Sequence, residues 1–346
     1  MEKGSHNSAP RVYLTRQFPE PVQSILNPHF NLVMNNEKTP VKRDELMEQI
    51  HEVDGLLCTL NDKIDKEIMN NASNLKVVST FSVGYEHIDI RTATVKGIYV
   101  TNTPDVLTAA TADLTIALML SVSRRIVDGH NLVNDRQWNK PWDPSFMIGS
   151  DLNNKTIGII GFGRIGRAVA RRAKAFGMRI RYYSRSKASN QVEMQLGAEY
   201  LTLERLLAES DYVTIHTPLN EMTHHLINSE RIGLMKRTAF LINTSRGGII
   251  NEDALAHALM NDEIAGAGLD VFETEPLGES SPLLKVENLV MTPHIGSATS
   301  GTRYQMGELS ASNLRNVLFG IEPLSLVNND VRVVRPLNER KNIQNS

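Results

Sequence analysis

The sequence is poor in cysteine and has no long apolar run. Its 346 residues contain one cysteine, Cys58, so an internal disulfide is impossible. Because Cys58 lies in the apolar stretch VDGLLCTL, we expect a buried and unreactive thiol. The longest apolar run, LTIALMLSV from Leu114, is too short to cross a bilayer. The first residues, MEKGSHNSAP, lack the apolar core of a secretory signal, and we therefore expect a cytoplasmic protein.

An excess of one charge and a cluster of metal ligands are absent as well. Lys plus Arg total 37 and Asp plus Glu total 39, which gives a net charge of −2. Such a balance creates no general field for nucleic acid or an anionic membrane. The adjacent His224 and His225, and the separate His216 and His294, do not have the spacing of metal ligands. We therefore expect no nucleic-acid partner, no membrane and no metal.

Short apolar runs alternate with helix-like segments, a pattern typical of βαβ units and parallel sheets. A first series of strands is predicted in RVYLT, FNLVM, VDGLLCTL, LKVVSTF and GIYVTN. One long helix is then predicted in DVLTAATADLTIALMLSVSRRI, and the polar stretch NDRQWNKPWDPSFMIGSDLNN marks a boundary. A second series follows in KTIGII, RIRYY, DYVTIHT, AFLINTS, IAGAGLDVF and ENLVMTP, before the helical GTRYQMGELSASNLRNVLFG returns to the first domain. We therefore predict an α/β protein with two doubly wound parallel-sheet domains.

A glycine motif follows the first strand of the second series. The segment TIGIIGFGRIGRAVARRAKAFG contains three glycines with the spacing G-x-G-x-x-G, between a predicted strand and an amphipathic helix. Arg164 and Ile165 are the two residues between the second and third glycines. Gly161 would permit the tight turn, Gly163 the approach of a pyrophosphate, and Gly166 close packing of helix on strand. The motif predicts a dinucleotide site, and the alternative is a plain tight turn.

The next strand bears on the choice of coenzyme. NAD enzymes usually carry an acid at its end for the ribose 2′-hydroxyl, whereas RIRYYSRSKAS has Ser184 there, followed by Arg185 and Lys187. Hydroxyl and cationic side chains would accept a 2′-phosphate. We therefore predict a preference for NADP(H), with NAD(H) possible; the alternative is an ordinary solvated basic loop.

Three further strands of the second series end in residues able to perform chemistry. AFLINTSRGG leads to Arg246, GAGLDVFETEP to Glu275, and LVMTPH to His294. A histidine can protonate a carbonyl oxygen as a hydride reaches the carbon, and a carboxylate on its other nitrogen would orient it. Arginine suits a substrate carboxylate. Singly, these residues could be an ion pair, a helix cap and a core histidine; together they predict a catalytic site.

Several motifs in order resemble the D-isomer-specific 2-hydroxyacid dehydrogenases over about residues 11–328. They are GIIGFGRIG, NTSRGG, GLDVFETEP and TPHIGSAT, while FSVGYEHID and TPDVLTAATAD resemble the glyoxylate/hydroxypyruvate reductase branch. The resemblance implies a Rossmann cofactor domain at 108–294 and a discontinuous flavodoxin-like substrate domain at 11–107 and 295–330, with a cleft between them. Residues 1–10 and 335–346 are expected to be disordered tails.

The resemblance also implies roles for individual residues. Val83 and Gly84 would bind the substrate carboxylate through backbone amides, although an ordinary turn is the alternative. Asp270 would lie near the nicotinamide amide, its alternative being a turn contact. Taken together, the motifs and the resemblance predict cofactor contacts at Thr111, Gly161, Gly163, Arg164, Ile165, Gly166, Ser184, Arg185, Lys187, Thr217, Pro218, Thr244, Asp270, His294 and Gly296.

The resemblance finally implies an activity and an assembly. We expect reduction of glyoxylate or hydroxypyruvate by NADPH in a homodimer, in which Trp138 and Trp142 lie at the interface or else have a plain core or surface role. Rival functions are a D-lactate, phosphoglycerate, formate or phosphite dehydrogenase and a nucleotide-sensing, corepressor-like scaffold. The first domain shows no cluster of basic residues for a phosphate, and this argues against the phosphoglycerate enzyme.

Overall fold

The computed structural model describes residues 9–37 and 39–337, which form two compact units. The first unit contains the residues up to Leu107 and those from Thr299 onward, and the second runs from Thr108 to Ala298. The expected disordered segments 1–8 and 338–346 lie outside the described residues. Arg335, at the start of the expected C-terminal tail, is among the described residues, and its carbonyl accepts a hydrogen bond of 2.7 Å from the Tyr99 hydroxyl.

The strands and helices alternate along the chain. The strands are β1 Arg11–Leu14, β2 Asn31–Met34, β3 Gly55–Cys58, β4 Val77–Thr80, β5 Tyr99–Thr101, β6 Thr156–Ile160, β7 Arg179–Tyr183, β8 Ala198–Tyr200, β9 Tyr212–Ile215, β10 Phe240–Asn243, β11 Gly266–Leu269 and β12 Leu289–Met291. The helices are α1 Glu20–Leu26, α2 Arg43–Ile50, α3 Lys66–Asn71, α4 Ile90–Val95, α5 Thr108–Ser123, α6 Ile126–Asn134, α7 Arg164–Ala175, α8 Asn190–Leu196, α9 Leu203–Glu209, α10 Ser229–Ile232, α11 Glu252–Met260, α12 Ser300–Leu318 and α13 Val331–Val334. Short 3₁₀ turns cover Gly247–Ile249 and Pro282–Lys285.

The described strands of the first unit form a parallel sheet in the order β2-β1-β3-β4-β5. This flavodoxin-like order reverses direction between β1 and β3, which is where such sheets bind ligands. Helix α12 packs on α1, β3 and β4, as expected of a C-terminal helix that returns to the first domain. Cys58 is buried and free, as predicted, and burial raises the pKa of its thiol, which disfavours the reactive thiolate.

The described strands of the second unit form a parallel sheet in the order β12-β11-β10-β9-β6-β7-β8. Apolar side chains cover both faces: α5 and α7 pack on one, and α9 and α11 on the other. The sheet reverses direction between β6 and β9, so the ends of these two strands flank its ligand-binding crevice. The predicted class, α/β with two parallel-sheet domains, is confirmed.

Three details differ from the sequence predictions. Helix α6 was missed: the predicted long helix ends at Ser123, beside the two arginines that close it, and Arg125 with a left-handed φ of 53° separates it from α6. Strand β8 was missed, since its three residues, AEY, are too few to show an alternating pattern. The tryptophan-containing stretch lies inside the second unit and marks no domain boundary. Within the described residues, no helix is both long and apolar enough to span a membrane.

Candidate active site

The glycine loop after β6 has the shape that a bound pyrophosphate needs. Gly161 has φ 92°, and a Cβ there would lie 2.3 Å from the carbonyl oxygen of His216. A Cβ on Gly166 would lie 2.1 Å from the Gly161 oxygen, so helix and strand pack as closely as glycine allows. A Cβ on Gly163 would meet no atom within 4 Å, which leaves the start of α7 open to an anion. The loop therefore fits a dinucleotide.

The segment after β7 presents polar and basic groups to solvent. The Ser184 hydroxyl donates a bond of 2.7 Å to the Ser186 carbonyl, and Arg185 is exposed. Lys187 is exposed and pairs with Glu193 at 3.4 Å. No acidic side chain occupies the position after β7 where an NAD enzyme usually carries one.

The other cofactor candidates occupy several positions in the second unit. Arg164 is exposed and Ile165 half-buried in the first turn of α7, while Thr217 and Pro218 follow β9. Thr244 is buried, and its hydroxyl bonds to that of Thr115 on α5 at 2.8 Å. The Thr244 side chain therefore joins a helix to the sheet.

His216, which the sequence indicates to be a surface or supporting residue and not a metal ligand, borders the glycine loop. Its Nε2 lies 3.2 Å from the Thr214 hydroxyl, and its Nδ1 is buried without a hydrogen-bond partner among the described residues. Burial lowers the pKa of His216 to about 3, so the ring is neutral at pH 7. In the described part of the chain, no group of three or more His, Cys, Asp or Glu residues could hold a metal ion.

Arg246 follows β10 in a loop that is fixed by its own backbone. The Asn243 side chain donates to the Arg246 carbonyl at 2.9 Å and accepts from the Ser245 amide at 3.0 Å. A Cβ on Gly247 would lie 1.8 Å from the Phe272 carbonyl carbon, so this loop is in direct contact with the loop that follows β11. The sheet therefore brings the arginine next to the segment that carries Glu275.

His294 and Glu275 form a hydrogen-bonded pair. The Nδ1 of His294 lies 2.7 Å from Oε2 of Glu275, and the two side chains are 27% and 28% exposed. Burial opposes ionisation of Glu275 most strongly, but the bond and charge of His294, the Phe272 amide and the charge of Arg246 together lower its pKa. Because an ionised carboxylate only accepts, Nδ1 carries the shared proton and Nε2 faces away from Glu275.

Asp270 holds the turn that presents His294. Its Oδ1 accepts from the Thr292 hydroxyl at 2.6 Å and the Ile295 amide at 2.8 Å, and its Oδ2 accepts from the Gly296 amide at 2.8 Å. The His294 amide donates to the Asp270 carbonyl at 2.9 Å, and His294 has φ 54°, a left-handed conformation unusual for histidine. Both carboxylate oxygens of Asp270 thus make the turn contacts that were the alternative to a cofactor role.

Thr111 and Gly296 meet beside this turn. The Thr111 hydroxyl donates to the Gly296 carbonyl at 3.3 Å, so α5 braces the segment after His294. Burial raises the pKa of Asp270, and the hydrogen bonds and the charge of His294 oppose that increase. The side chains of Thr111 and Asp270, two of the cofactor candidates, therefore support the backbone around His294.

Glu252 and Glu273, which connect α11 to the loop that carries Glu275, were not recognised in the sequence. The Glu273 amide donates to Oε1 of Glu252 at 2.6 Å, and the Glu252 amide donates to Oε1 of Glu273 at 3.0 Å. His225 lies 3.2 Å from the same Glu273 oxygen. These contacts tie α11 to the loop that carries Glu275; Glu252 directly follows the helix cap Asn251, and no sequence motif indicates the pairing.

In the first unit, the loop after β4 directs two backbone amides to one side. The carbonyls of Ser82 and Val83 accept from the Thr103 amide at 2.9 Å and the Asn102 side chain at 2.8 Å. In a trans peptide the N–H points opposite to the C=O, so the amides of Val83 and Gly84 point away from these two residues. Two adjacent amides with one direction can bind a carboxylate.

Comparisons with known proteins agree with this geometry. Residues 116–296 match the family described as D-isomer specific 2-hydroxyacid dehydrogenase, NAD binding domain. A protein of Thermofilum pendens named glyoxylate reductase is 49% identical over 335 residues, which cover 96% of this chain and 99% of that protein. A glyoxylate reductase of Pyrococcus horikoshii is 48% identical over 329 residues, covering 94% of this chain and 98% of that protein.

Solved structures share both units. A crystal structure of a Thermus thermophilus protein is 44% identical with a TM-score of 0.85, covering 92% of this chain and 99% of that one. An NADPH-dependent glyoxylate/hydroxypyruvate reductase of Sinorhizobium meliloti, solved with NADP and malonate, is 32% identical with a TM-score of 0.81, covering 97% of this chain and 100% of that one. The chain is therefore an NAD(P)-dependent oxidoreductase that belongs to the family of D-isomer-specific 2-hydroxyacid dehydrogenases.

Proposed function

We propose that the protein reduces glyoxylate or hydroxypyruvate to the corresponding 2-hydroxy acid with NADPH. The observation that carries the proposal is the His294–Glu275 pair, which lies at the ends of neighbouring strands beside Arg246. The glycine loop after β6 emerges from the same edge of that sheet. Relatives that are named glyoxylate reductase and match almost the whole chain support the substrate class.

Each side chain has a role that follows from its contacts. A nicotinamide cofactor, when bound at the glycine loop, would supply a hydride for the carbonyl carbon of the substrate. Glu275 holds the Nδ1 proton of His294, so Nε2 can donate a proton to the carbonyl oxygen as negative charge develops there. Arg246 offers a permanent charge for the substrate carboxylate, and the amides of Val83 and Gly84 offer two further donors. We propose on this basis that the first unit binds substrate and the second binds cofactor.

The test uses NADPH oxidation with glyoxylate, hydroxypyruvate, pyruvate and 3-phosphohydroxypyruvate as separate substrates. His294→Ala should lower kcat by about 10²–10⁴-fold, since a general acid is lost, and leave NADPH affinity nearly unchanged. His257→Ala is the matched control, because this exposed histidine of α11 pairs only at 3.7 Å with Glu263. Nucleotide binding without turnover of any 2-oxo acid would favour a nucleotide-sensing scaffold instead.

The proposed preference for NADPH rests on the segment after β7. Ser184, Arg185 and Lys187 can donate to a 2′-phosphate, and no acid there would repel it. Arg185→Asp should lower the ratio of kcat/KM for NADPH over NADH by roughly 10- to 100-fold, the equivalent of one charged hydrogen bond. Arg181→Gln serves as control because Arg181 already pairs with Glu199 at 2.8 Å. An unchanged ratio in Arg185→Asp would contradict the assignment.

We also propose that the protein is a homodimer in which α6 and the loop after it meet a second copy. This segment exposes several large apolar side chains, among them Trp138 at 60% and Trp142 at 83% exposure. Beside it lies a hollow of about 840 Å³ lined by α6, the end of α5 and the edge strand β12. A protruding apolar segment and a hollow on one surface suit a self-complementary contact.

The oligomeric state tests this contact directly. Trp142→Ser should shift the mass measured by light scattering from dimer towards monomer, whereas Met194→Ser, on exposed α8, should not. The chain has only two tryptophans, so their fluorescence should shift to the red as the dimer is diluted. A wild-type monomer at all concentrations would refute the proposal.

A further inference from the structure

A half-buried arginine of the first unit has hydrogen-bond donors that the fold does not use. Arg16 follows β1, and its Nε and Nη2 are buried without a hydrogen-bond partner among the described residues. A buried guanidinium N–H without an acceptor is costly, and such groups are normally paired. Arg16 therefore has donors available for a ligand.

The topology places Arg16 where a ligand is expected. The first sheet reverses direction between β1 and β3, and open parallel sheets bind ligands at the carboxyl ends of the strands at that point. The register aligns Leu14 with Leu57, and Leu57 with Ser79. Arg16 is thus level with Phe81, two strands away, at the same edge as the loop that contains Val83 and Gly84.

The amides of this loop face the same side as Arg16. The carbonyls of Ser82 and Val83 are held by residues that follow β5, so the amides of Val83 and Gly84 point to the other side of β4. On that other side lie β3 and then β1. A carboxylate bound by these amides would therefore lie towards the strand that Arg16 follows.

An aromatic pair connects the two segments, and a second arginine lies against it. The rings of Phe18 and Phe81 have centroids 5.5 Å apart, which brings the chain just after Arg16 against the residue before the amide loop. The guanidinium of Arg303, from α12, lies 5.7 Å from the centroid of the Phe81 ring. Arg303 therefore contacts the aromatic pair, and Arg16 lies two residues before Phe18 in the chain.

One acid also lies at this edge of the sheet. Asp62 is buried after β3, and its Oδ2 accepts from the Thr15 hydroxyl at 2.6 Å and the Thr59 amide at 2.7 Å. Its Oδ1 has no hydrogen-bond partner among the described residues, so it does not satisfy Arg16 by a direct bond. Asp62 thus fixes the strand ends and leaves the Nε and Nη2 donors of Arg16 unused.

We propose that Arg16 is a specificity-determining residue that binds an oxygen substituent on the third carbon of the substrate. The preferred substrates would be 2-oxo acids with a hydroxyl or phosphate on that carbon. Those with a methyl group there, or with no third carbon, would be disfavoured. The inference rests on the proposed function, because it assumes that the amides of Val83 and Gly84 hold the carboxylate of a 2-oxo acid.

The test compares substrates that share the 2-oxo acid group and differ at the third carbon. Arg16→Met should lower kcat/KM for hydroxypyruvate by roughly 10- to 100-fold, the loss expected for a hydrogen bond from a charged group. Glyoxylate has no third carbon, so its kcat/KM should change by less than about threefold. An added loss for 3-phosphohydroxypyruvate would show that the site also takes phosphate.

Three controls separate recognition from folding. Arg11→Met changes an arginine at the opposite end of the same strand, where it pairs with Glu52, and should alter no substrate ratio. Arg16→Met should keep or raise the melting temperature, because it removes a buried group whose hydrogen bonds are unmade. Arg16→Lys, which keeps the charge without the planar fork, should retain part of the preference for hydroxypyruvate.

The outcomes distinguish this inference from the proposed function. Equal losses for glyoxylate and hydroxypyruvate in Arg16→Met, or no loss for either, would overturn the role of Arg16 while reduction of 2-oxo acids stands. A wild-type protein that reduces none of these acids would overturn the proposed function itself.

Discussion

Replacement of Gly247 by alanine tests whether backbone contact between two loops holds the catalytic pair. The new Cβ would lie 1.8 Å from the Phe272 carbonyl carbon, 2.1 Å from its oxygen and 2.3 Å from the Glu273 nitrogen. These are backbone atoms that cannot rotate away, and ordinary carbon contacts are about 3.5–4.0 Å. The two loops would therefore have to separate by about 1.5 Å or more, given those contact distances.

The expected cost follows from the bonds beside that contact. Separation would break the two bonds that join the loop after β11 to the start of α11, from the Glu273 amide to Glu252 at 2.6 Å and from the Glu252 amide to Glu273 at 3.0 Å. Hydrogen bonds to charged groups contribute about 1.5–3 kcal/mol each, so we expect a loss of about 3–6 kcal/mol of unfolding free energy. Because Glu275 orients His294, kcat should fall as well.

The assay is urea denaturation followed by circular dichroism, together with kcat for glyoxylate and NADPH. Gly248→Ala is the matched control, since its Cβ would first meet the Leu219 side chain at 3.3 Å, which can shift. We expect that variant to lose less than about 1.5 kcal/mol, in the range of tolerated core changes. If Gly247→Ala proved as stable and active as Gly248→Ala, the reasoning would be refuted.

Two further predictions concern acid stability and the turn that presents the histidine. Burial lowers the pKa of His216 to about 3, so between about pH 6.5 and pH 3 the unfolded chain binds a proton at this residue and the native state does not. His216 should therefore make the free energy of unfolding fall as the pH drops through this range, by at most about 1.4 kcal/mol per pH unit. His216→Asn should remove that slope when stability is measured by urea titration at several pH values. Asp270→Asn leaves one acceptor oxygen where the carboxylate has two, so the Gly296 amide or the Ile295 amide loses its partner. We expect kcat to fall about tenfold, equivalent to one lost hydrogen bond, and NADPH affinity to change less. An unchanged kcat would show that the turn does not depend on the acid.

Local patterns in the sequence determined the parts of the site that each lie within one segment. The glycine loop was predicted because strand, glycines and helix are contiguous, and the clearance around Gly163 agrees with that prediction. The pair of Glu275 and His294 was also predictable, since residues that end neighbouring parallel strands emerge at one edge of a sheet. The long helix was predicted to close at its two arginines and does, whereas the separate helix α6, which begins after the left-handed Arg125, was not predicted.

The tertiary structure alone decided which distant residues meet. No pattern in the sequence links Arg16 to Arg303, and only the fold places the Arg303 guanidinium over the Phe81 ring and Arg16 level with Phe81 in the strand register. The same holds for Gly247, whose lack of a side chain matters only because the loop after β11 is packed against it. The physical reason is that strand order and helix return are set by burial of whole apolar faces, a property of the assembled layers. The sequence of a single segment therefore indicates what chemistry its side chains can perform, and the packing of the sheets decides which other residues those side chains meet.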